Sequence, residues 1–319
     1  MSKLLVVGSI NMDIVNNVAQ FPMPGETIHS KGTAFFPGGK GANQAVAAAR
    51  SGSECLMLGA VGEDPFADTL LNSLHDNGID TTLMFRKAGT SGFAIITVNG
   101  EGDNHIVLSP GANGQLTEAD VTGAIADWSY VHAVLLQNEI PWETTQSVIQ
   151  RASSNGVPVF YNPAPAREIP DALFHSIHTL ILNETEAAVV SGVSVSDSGS
   201  ALSAAERIIA KGTNAVILTL GEKGCVYRNA NGESLTVPAF KMKAVDTTAA
   251  GDTFIGAYAA ASAEGLAVKQ AITFASAAAA LAVTKAGAQA SIPSKADIEA
   301  FIQSRSKPEI RNTRLKPRC

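Results

Sequence analysis

The chain has 319 residues, 45% hydrophobic and 16% charged, with 29 acidic against 23 basic side chains and a formal net charge of −6. That is enough to bury one large core, and the acidic balance argues against a nucleic-acid footprint and in favour of small-molecule chemistry. Its three cysteines, Cys55, Cys225 and Cys319, show no CxxC spacing, which argues against a disulfide framework or thiolate metal centre and fits a reducing, cytoplasmic compartment.

In chain order, residues 4–7 predict a short buried strand, too short for a secretion signal or a membrane span, that ends at Gly8-Ser9-Ile10-Asn11-Met12-Asp13. Polar groups just past a strand's carboxyl end occupy the place where open α/β sheets bind ligands. Asn11 and Asp13 offer an amide and a carboxylate to a polyol if the chain is extended there, and are turn formers if it is not. A β-like segment over 27–36 precedes Pro37-Gly38-Gly39-Lys40-Gly41-Ala42-Asn43-Gln44 and an alanine-rich helix to Arg50. Glycines before a helix admit close backbone approach, and Lys40 and Asn43 add donors; a ligand-free helix entry is the plain alternative. The GxxxxGK[ST] spacing of a P-loop is absent, and no strand is expected to run directly into this loop.

Residues 56–61 predict a buried strand and 65–77 an amphipathic helix stopped by Gly78, whereas 92–108 reads as a hairpin around a Gly/Asn-rich turn. With the 27–36 segment, the hairpin predicts a separate small sheet within about 11–37 and 92–110. Too small for a core of its own, it is expected to cover a site and to bury its outer face on a second subunit. From 133 the alternation is regular: strands over 133–137, 157–162, 179–182 and 215–220, helices over 142–155, 171–174, 185–191 and 200–211, and a hairpin over 224–237. This order predicts an α/β fold with a doubly wound, mainly parallel sheet sandwiched by helices. The low-polarity stretch 271–283, alanine-rich and interrupted by Thr273 and Ser276, reads as a buried helix. One domain over 1–304 is expected, followed by a disordered basic tail over 305–319.

Asn11, Asn138-Glu139, Asn183-Glu184-Thr185-Glu186 and Gly221-Glu222-Lys223-Gly224 each follow a predicted strand, so they fall along one edge of the sheet. The densest signal is Ala244-Val245-Asp246-Thr247-Thr248-Ala249-Ala250-Gly251-Asp252-Thr253-Phe254. Small side chains at a loop-to-helix junction leave backbone N–H groups open to an anion, and Asp252 can reach a bound hydroxyl; an Asp N-cap on a buried helix is the alternative. His175 and His178 lack a third ligand, Ser9 lacks a GxSxG elbow, and no GxGxxG is present, so a metal centre, a serine nucleophile and a dinucleotide site are not expected. Lys40 is better placed as an anion contact than as a Schiff-base lysine.

Together with Asn162-Pro163-Ala164-Pro165-Ala166, these stretches resemble, in order, the motifs of the ribokinase/PfkB family of sugar kinases, from about residue 3 to about residue 302. The resemblance implies ATP-dependent phosphorylation of D-ribose on its 5-hydroxyl, a ribokinase-like fold whose small sheet is a lid, and a homodimer formed through that lid. It implies that Asp252 is the base and that the backbone of Ala249, Ala250 and Gly251 is the anion hole. The sugar contacts it implies are Asn11, Asp13, Gly39, Lys40, Gly41, Asn43 and Glu139, with Asn183, Thr219, Gly221, Gly224, Gly251 and Ser276 on the ATP side. Asn183 and Glu186 match the element that organises Mg²⁺ through water, and Asp246, Thr248, Ala282, Lys285, Gly287 and Ser291 match loops that hold K⁺, mostly through carbonyls. Ser276 stands where the family places His or Asn beside adenine, so stacking area is lost there. Deoxyribose, fructose or adenosine as acceptor would use the same chemistry. A non-catalytic sensor is the alternative from another class, and the retained Asp252 speaks against it.

Overall fold

The strand and helix signals resolve, in a computed structural model that describes residues 3–306, into a nine-stranded sheet between two helical layers and a detached four-stranded sheet. The chain runs β1 (Lys3–Val7), β2 (Asn11–Asn17), β3 (Gly32–Gly38), α1 (Lys40–Arg50), β4 (Cys55–Val61), α2 (Phe66–Asp76), β5 (Asp80–Arg86), β6 (Gly92–Val98) and β7 (Asn104–Ser109). It continues with α3 (Glu118–Ala124), β8 (Val131–Leu136), α4 (Trp142–Ser154), β9 (Val159–Tyr161), β10 (Thr179–Leu182), α5 (Glu184–Ser191), α6 (Ser198–Ile209) and β11 (Ala215–Thr219). The last part holds β12 (Cys225–Asn229), β13 (Ser234–Val237), α7 (Ala250–Ala263), α8 (Val268–Ala282), α9 (Ala288–Ser291) and α10 (Lys295–Ser306).

The large sheet has the order β13-β12-β11-β10-β9-β8-β1-β4-β5, parallel from β11 to β5, with the β12–β13 hairpin added antiparallel. Period-two alternation divides its residues between two cores. Leu4, Val6, Met57 and Leu135 face α1, α2, α7 and α8, while Leu5, Val7, Leu58 and Leu136 face α3, α4, α5 and α6. This is the doubly wound sandwich, and it sets the carboxyl ends of β1, β8, β9, β10 and β11 side by side. No helix among the described residues is long and apolar enough to cross a membrane.

Alanine and glycine are abundant in α1 and α7 because these two helices touch backbone to backbone. A Cβ on Gly256 would lie 2.4 Å from the Gln44 carbonyl oxygen and 2.6 Å from Ala47 Cβ. Forcing a methyl in would cost about 1–3 kcal/mol by overpacking. The close contact brings residues of the first turns of α1 and α7 within hydrogen-bond reach of each other.

The small sheet has the order β3-β2-β6-β7. Cross-strand rows place Phe36, Asp13, Ala94 and Leu108 together on one face and Phe35, Ile14, Ile95 and Val107 on the other. The second face is partly anchored, since Ile14 packs against the main core and the Phe35 ring lies 6.0 Å from that of Phe66. Phe35, Ile95, Ile106, Val107 and Leu108 remain exposed.

Several expectations are corrected. The 27–36 strand forms over Gly32–Gly38 and runs directly into α1, so a strand does lead into the glycine loop. For the residues after β1, left open between turn and extended chain, the extended reading holds: they form the lid strand β2, as the alternation of Asn11, Met12, Asp13 and Ile14 allows. The 171–174 helix is a 3-10 turn over Asp171–Ser176. Edge strand β5 and the short α3, fixed by a Thr117/Asp120 capping box, carry weak sequence signals, since β5 is only half buried and α3 is seven residues long. Of the predicted tail, Arg305 and Ser306 belong to α10, and 307–319 lies outside the described residues.

Candidate active site

Asp252 is the third residue of α7, 7% exposed, in the first turn, where the helix N-terminus favours a carboxylate. Two amides from α1 hold it: Asn43 Nδ2 donates to Oδ2 at 3.2 Å and Gln44 Nε2 to Oδ1 at 3.0 Å. Ala249, the N-cap, has φ 58°, the only positive φ outside glycine among the described residues. Such a conformation at a non-glycine residue costs of the order of 1–3 kcal/mol and concentrates at sites where the backbone must be aimed. The N–H groups of Gly251 and Asp252 begin the helix and have no acceptor within it. Ala250 N–H donates to Thr247 O at 3.2 Å, so it joins an anion hole only by sharing or releasing that bond.

Beside Asp252 lies a cavity of about 230 Å³ lined by Lys40, Asn162, Asn183, Glu186, Thr219, Thr247, Ala249 and Gly251, among others. Lys40 enters it from the first residue of α1, next to Gly39, whose φ of 90° lets β3 turn sharply into the helix. Four carboxylates act on this one ammonium. Asp252 most strongly, then Glu139, Glu186 and Asp13, raise the Lys40 pKa above its ordinary value against the cost of burial.

Asp13, on β2, faces the same region. Burial first, then the like charges of Glu139 and Asp252, push its carboxyl from 3.8 up to about 7, with Lys40 opposing. Asn11 is 3% exposed, and its Oδ1 accepts from Asn113 Nδ2 at 2.8 Å, which leaves its own amide N–H groups to point elsewhere. Asn43 Oδ1 is buried with no partner among the described residues, an acceptor of the kind a ligand hydroxyl satisfies. Glu139 is oriented by Ser9 Oγ at 2.6 Å and by the Lys40 N–H at 3.1 Å. Gly41 is buried, and its N–H donates to Ser9 Oγ at 3.3 Å; it packs α1 onto the β1–β2 turn and presents no free donor.

Asn183 and Glu186 cap α5 reciprocally: Asn183 Oδ1 accepts from the Glu186 N–H at 2.9 Å, and Glu186 Oε2 from the Asn183 N–H at 3.0 Å. Asn183 Nδ2 and Asn162 Nδ2 add bonds to Oε1 and Oε2 at 2.8 and 3.1 Å. Burial raises the Glu186 pKa, opposed by the Asn183 bond, Lys40 and Asn162. A carboxylate carrying three donors suits a hydrated Mg²⁺ reached through water better than direct ligation. Thr219 Oγ1 is tied to Leu182 O at 3.2 Å, and Gly221 and Gly224 flank the 3-10 turn after β11. Ser276 lies in α8 and is half-buried, and the Cys225 thiol on β12 is pushed up to about 12 by burial, with the Ser276 side chain opposing.

The residues expected to hold K⁺ lie on two segments that meet where the Asp246 loop bonds the 283–287 turn. Asp246 Oδ1 accepts from Thr248 N and Oγ1 at 2.9 and 2.6 Å, and Oδ2 accepts from Gly287 N at 2.9 Å. Burial would raise its pKa, but these bonds outweigh burial and hold the carboxyl below its ordinary value. Ala282 O accepts from Lys285 N at 3.1 Å, so the turn that carries both is formed, and Ser291 Oγ donates to Ala288 O at 2.8 Å. With the Asp246 oxygens occupied by N–H and O–H donors, carbonyl oxygens are the natural donors for a monovalent ion here. His175 and His178 form no metal cluster, and none of three or more ligand-type residues occurs among the described residues.

Three residues that support this site carry no motif of their own, Gln44, Gln137 and Asn113, and Ser9, weighed in the sequence only as a nucleophile, orients Glu139 instead. Amides and hydroxyls inside an alanine helix or at a strand end carry no motif signal. Their burial is the signal, since Ser9, Gln44 and Gln137 are 0% exposed, and burial is invisible before folding.

A pfkB family carbohydrate kinase model matches residues 1–295. The chain is 42% identical over 301 residues to a ribokinase of Haemophilus influenzae, covering 94% of this chain and 98% of the relative. It is 38% identical over 297 residues to a deoxyribokinase of Salmonella typhi, covering 91% and 95%. The structure matches that of an Arabidopsis thaliana ribokinase complexed with ribose and ATP, with a TM-score of 0.86 or above shared by a Thermotoga maritima ribokinase structure; the Arabidopsis match scores 0.88 at 30% identity, covering 95% of this chain and 99% of that one.

Proposed function

The chain belongs to the pfkB family of carbohydrate kinases, and we propose that it transfers the γ-phosphoryl group of ATP to the 5-hydroxyl of D-ribose, giving ribose 5-phosphate and ADP. The observation that carries this reading is Asp252 held by two amides at the N-terminus of α7, on the wall of a cavity it shares with Lys40. The ribokinase relatives and the ribose and ATP bound to the Arabidopsis protein support ribose and ATP as the substrates.

Asp252 takes the proton of the 5-hydroxyl as that oxygen bonds to the γ-phosphorus and the bond to the β-phosphate oxygen breaks. The Gly251 and Asp252 N–H groups, aimed by the strained Ala249, offer donors to the equatorial oxygens, and the Lys40 ammonium offers positive charge to the same group. Asp13, Asn11, Asn43 and Glu139 bind the sugar hydroxyls, and the Asn43 Oδ1 acceptor supports that role. Four carboxylates facing one ammonium make a poor host for a bare triphosphate. Asn183 and Glu186 would hold Mg²⁺ through water, and it would supply the missing positive charge on the triphosphate. The carbonyls of the loops around Asp246 would hold K⁺, whose charge would help fix the segment leading into the Ala249–Gly251 turn. The exposed apolar side chains of β6 and β7 support a homodimer through the lid.

The test is ADP release with Mg²⁺-ATP and K⁺ across ribose, 2-deoxyribose, fructose and adenosine. The highest kcat/KM is expected with ribose, with ribose 5-phosphate as the product. A larger kcat/KM for 2-deoxyribose or another acceptor would overturn the ribose assignment and leave the kinase chemistry standing.

A further inference from the structure

The second amide on Asp252 belongs to a residue that no substrate reaches. Gln44 is 0% exposed and absent from the lining of the 230 Å³ cavity, yet its Nε2 donates to Asp252 Oδ1 at 3.0 Å. Its orientation is imposed from behind: Gln137 Nε2 donates to Gln44 Oε1 at 2.7 Å, and Gln137 is also 0% exposed. A flipped Gln44 would set two donors against each other at Gln137 and an acceptor against the carboxylate at Asp252, so only one orientation satisfies both neighbours. The same Nε2 lies 3.4 Å from Asn162 Oδ1, and Asn162 Nδ2 donates to Glu186 Oε2 at 3.1 Å. A buried row of amides therefore runs from β8 through α1 to the reacting carboxylate, with a branch to Glu186.

We infer that Gln44 is a positioning residue for the reaction: locked by Gln137, it occupies Asp252 Oδ1 and so leaves Oδ2, on the Asn43 side, as the oxygen that meets the substrate hydroxyl. Carboxylates rotate readily about χ2, and a base that presents the wrong lone pair loses rate without losing binding. Asn43 cannot do this alone. Its 3.2 Å bond reaches the oxygen that must accept the proton, so it is strained or shared as the hydroxyl approaches. The Gln44 bond lies on the far oxygen and is kept throughout. The inference rests on Asp252 being the base.

The test compares wild type with Gln44→Met, which keeps the length and removes the amide, Gln44→Glu, which keeps the shape, and Asp252→Asn. Gln44→Met is expected to melt cooperatively, to bind ribose and ATP within two-fold of wild type by calorimetry, and to lose about ten- to a hundred-fold in kcat. Gln44→Glu can give Asp252 one O–H donor while still accepting from Gln137, but only when protonated. The one ionisable group bonded to residue 44 is Asp252; Lys40 lies one turn back on α1 and Glu186 behind Asn162. Its kcat relative to wild type is therefore expected to rise as pH is lowered, a trend that loss of packing alone would not give. An unchanged kcat in folded Gln44→Met overturns the inference. If that variant does not fold, a folded Gln44→Glu whose kcat tracks wild type at every pH overturns it. Turnover retained by Asp252→Asn would instead remove the base assignment itself.

Discussion

Asp13→Asn is expected to make the protein more stable and a poorer binder of sugar at once. The Asp13 carboxyl, ordinarily near 3.8, is pushed to about 7 in the folded chain by burial and by Glu139 and Asp252. The sign follows from proton binding: between these two values the folded chain holds the proton more firmly than the unfolded chain. Stability therefore falls as pH rises through this window and levels off above about 7. A shift of about three units at about 1.4 kcal/mol each gives an upper bound near 4 kcal/mol. Because Asp13 is only partly shielded, and Asn also forfeits the attraction of Lys40, about half of that is realistic, or ~2 kcal/mol. For a chain of this size that raises Tm by roughly 4 °C. Melting of the ligand-free proteins from pH 4 to pH 8 is the assay. The variant's advantage should be absent at pH 4, grow through pH 6, and be complete above pH 7. Ribose affinity measured beside it should fall roughly a hundred-fold in the variant, the loss of charge-assisted bonds. In wild type it should weaken about ten-fold per pH unit below 7, as the anion that accepts the hydroxyls is lost. A variant no more stable at pH 8, or an advantage that does not vary with pH, refutes the electrostatic account of Asp13.

Lys40→Met removes the one ammonium facing four carboxylates, and it is expected to lower kcat by about 10²-fold or more with a smaller effect on ribose affinity; an unchanged kcat would remove Lys40 from the transferring phosphoryl. Replacing K⁺ by Na⁺ should reduce turnover, and equal rates in the two salts would remove the cation from the Asp246 loops. Ile106→Glu in the lid strand β7, 58% exposed in the single chain, is expected to convert a dimer into a monomer in sedimentation. A concentration-independent monomer mass for the wild type would contradict the lid interface.

The parts of this molecule that could be read from its sequence are those governed by local rules. Short continuous apolar runs gave the buried strands of the large sheet, and the polar stops after β1, β8, β10 and β11 did fall along one edge, because parallel strands place their carboxyl ends on the same side. The small-residue run around Gly251 gave the junction before α7. Other features depend on partners distant in sequence. Gln44 and Asp252 are 208 residues apart, and their meeting is set by the Gly256 contact between α1 and α7. Asn11 was ambiguous between turn and strand until β3 and β6 paired on either side of β2. Edge strand β5, half exposed and bounded by Asp80 and Arg86, lacks the continuous apolar run that marks the buried strands.

The central claim is that Asp252 accepts the proton of the sugar hydroxyl during phosphoryl transfer, and the most direct test is single-turnover ADP formation by Asp252→Asn with saturating ribose and Mg²⁺-ATP. Asn keeps the size and the helix-start position, so ribose and ATP should still bind within a few-fold of wild type. The transfer rate should fall by about 10²–10⁴-fold, the range of a positioned general base. A variant that binds both substrates and transfers at the wild-type rate would contradict the account.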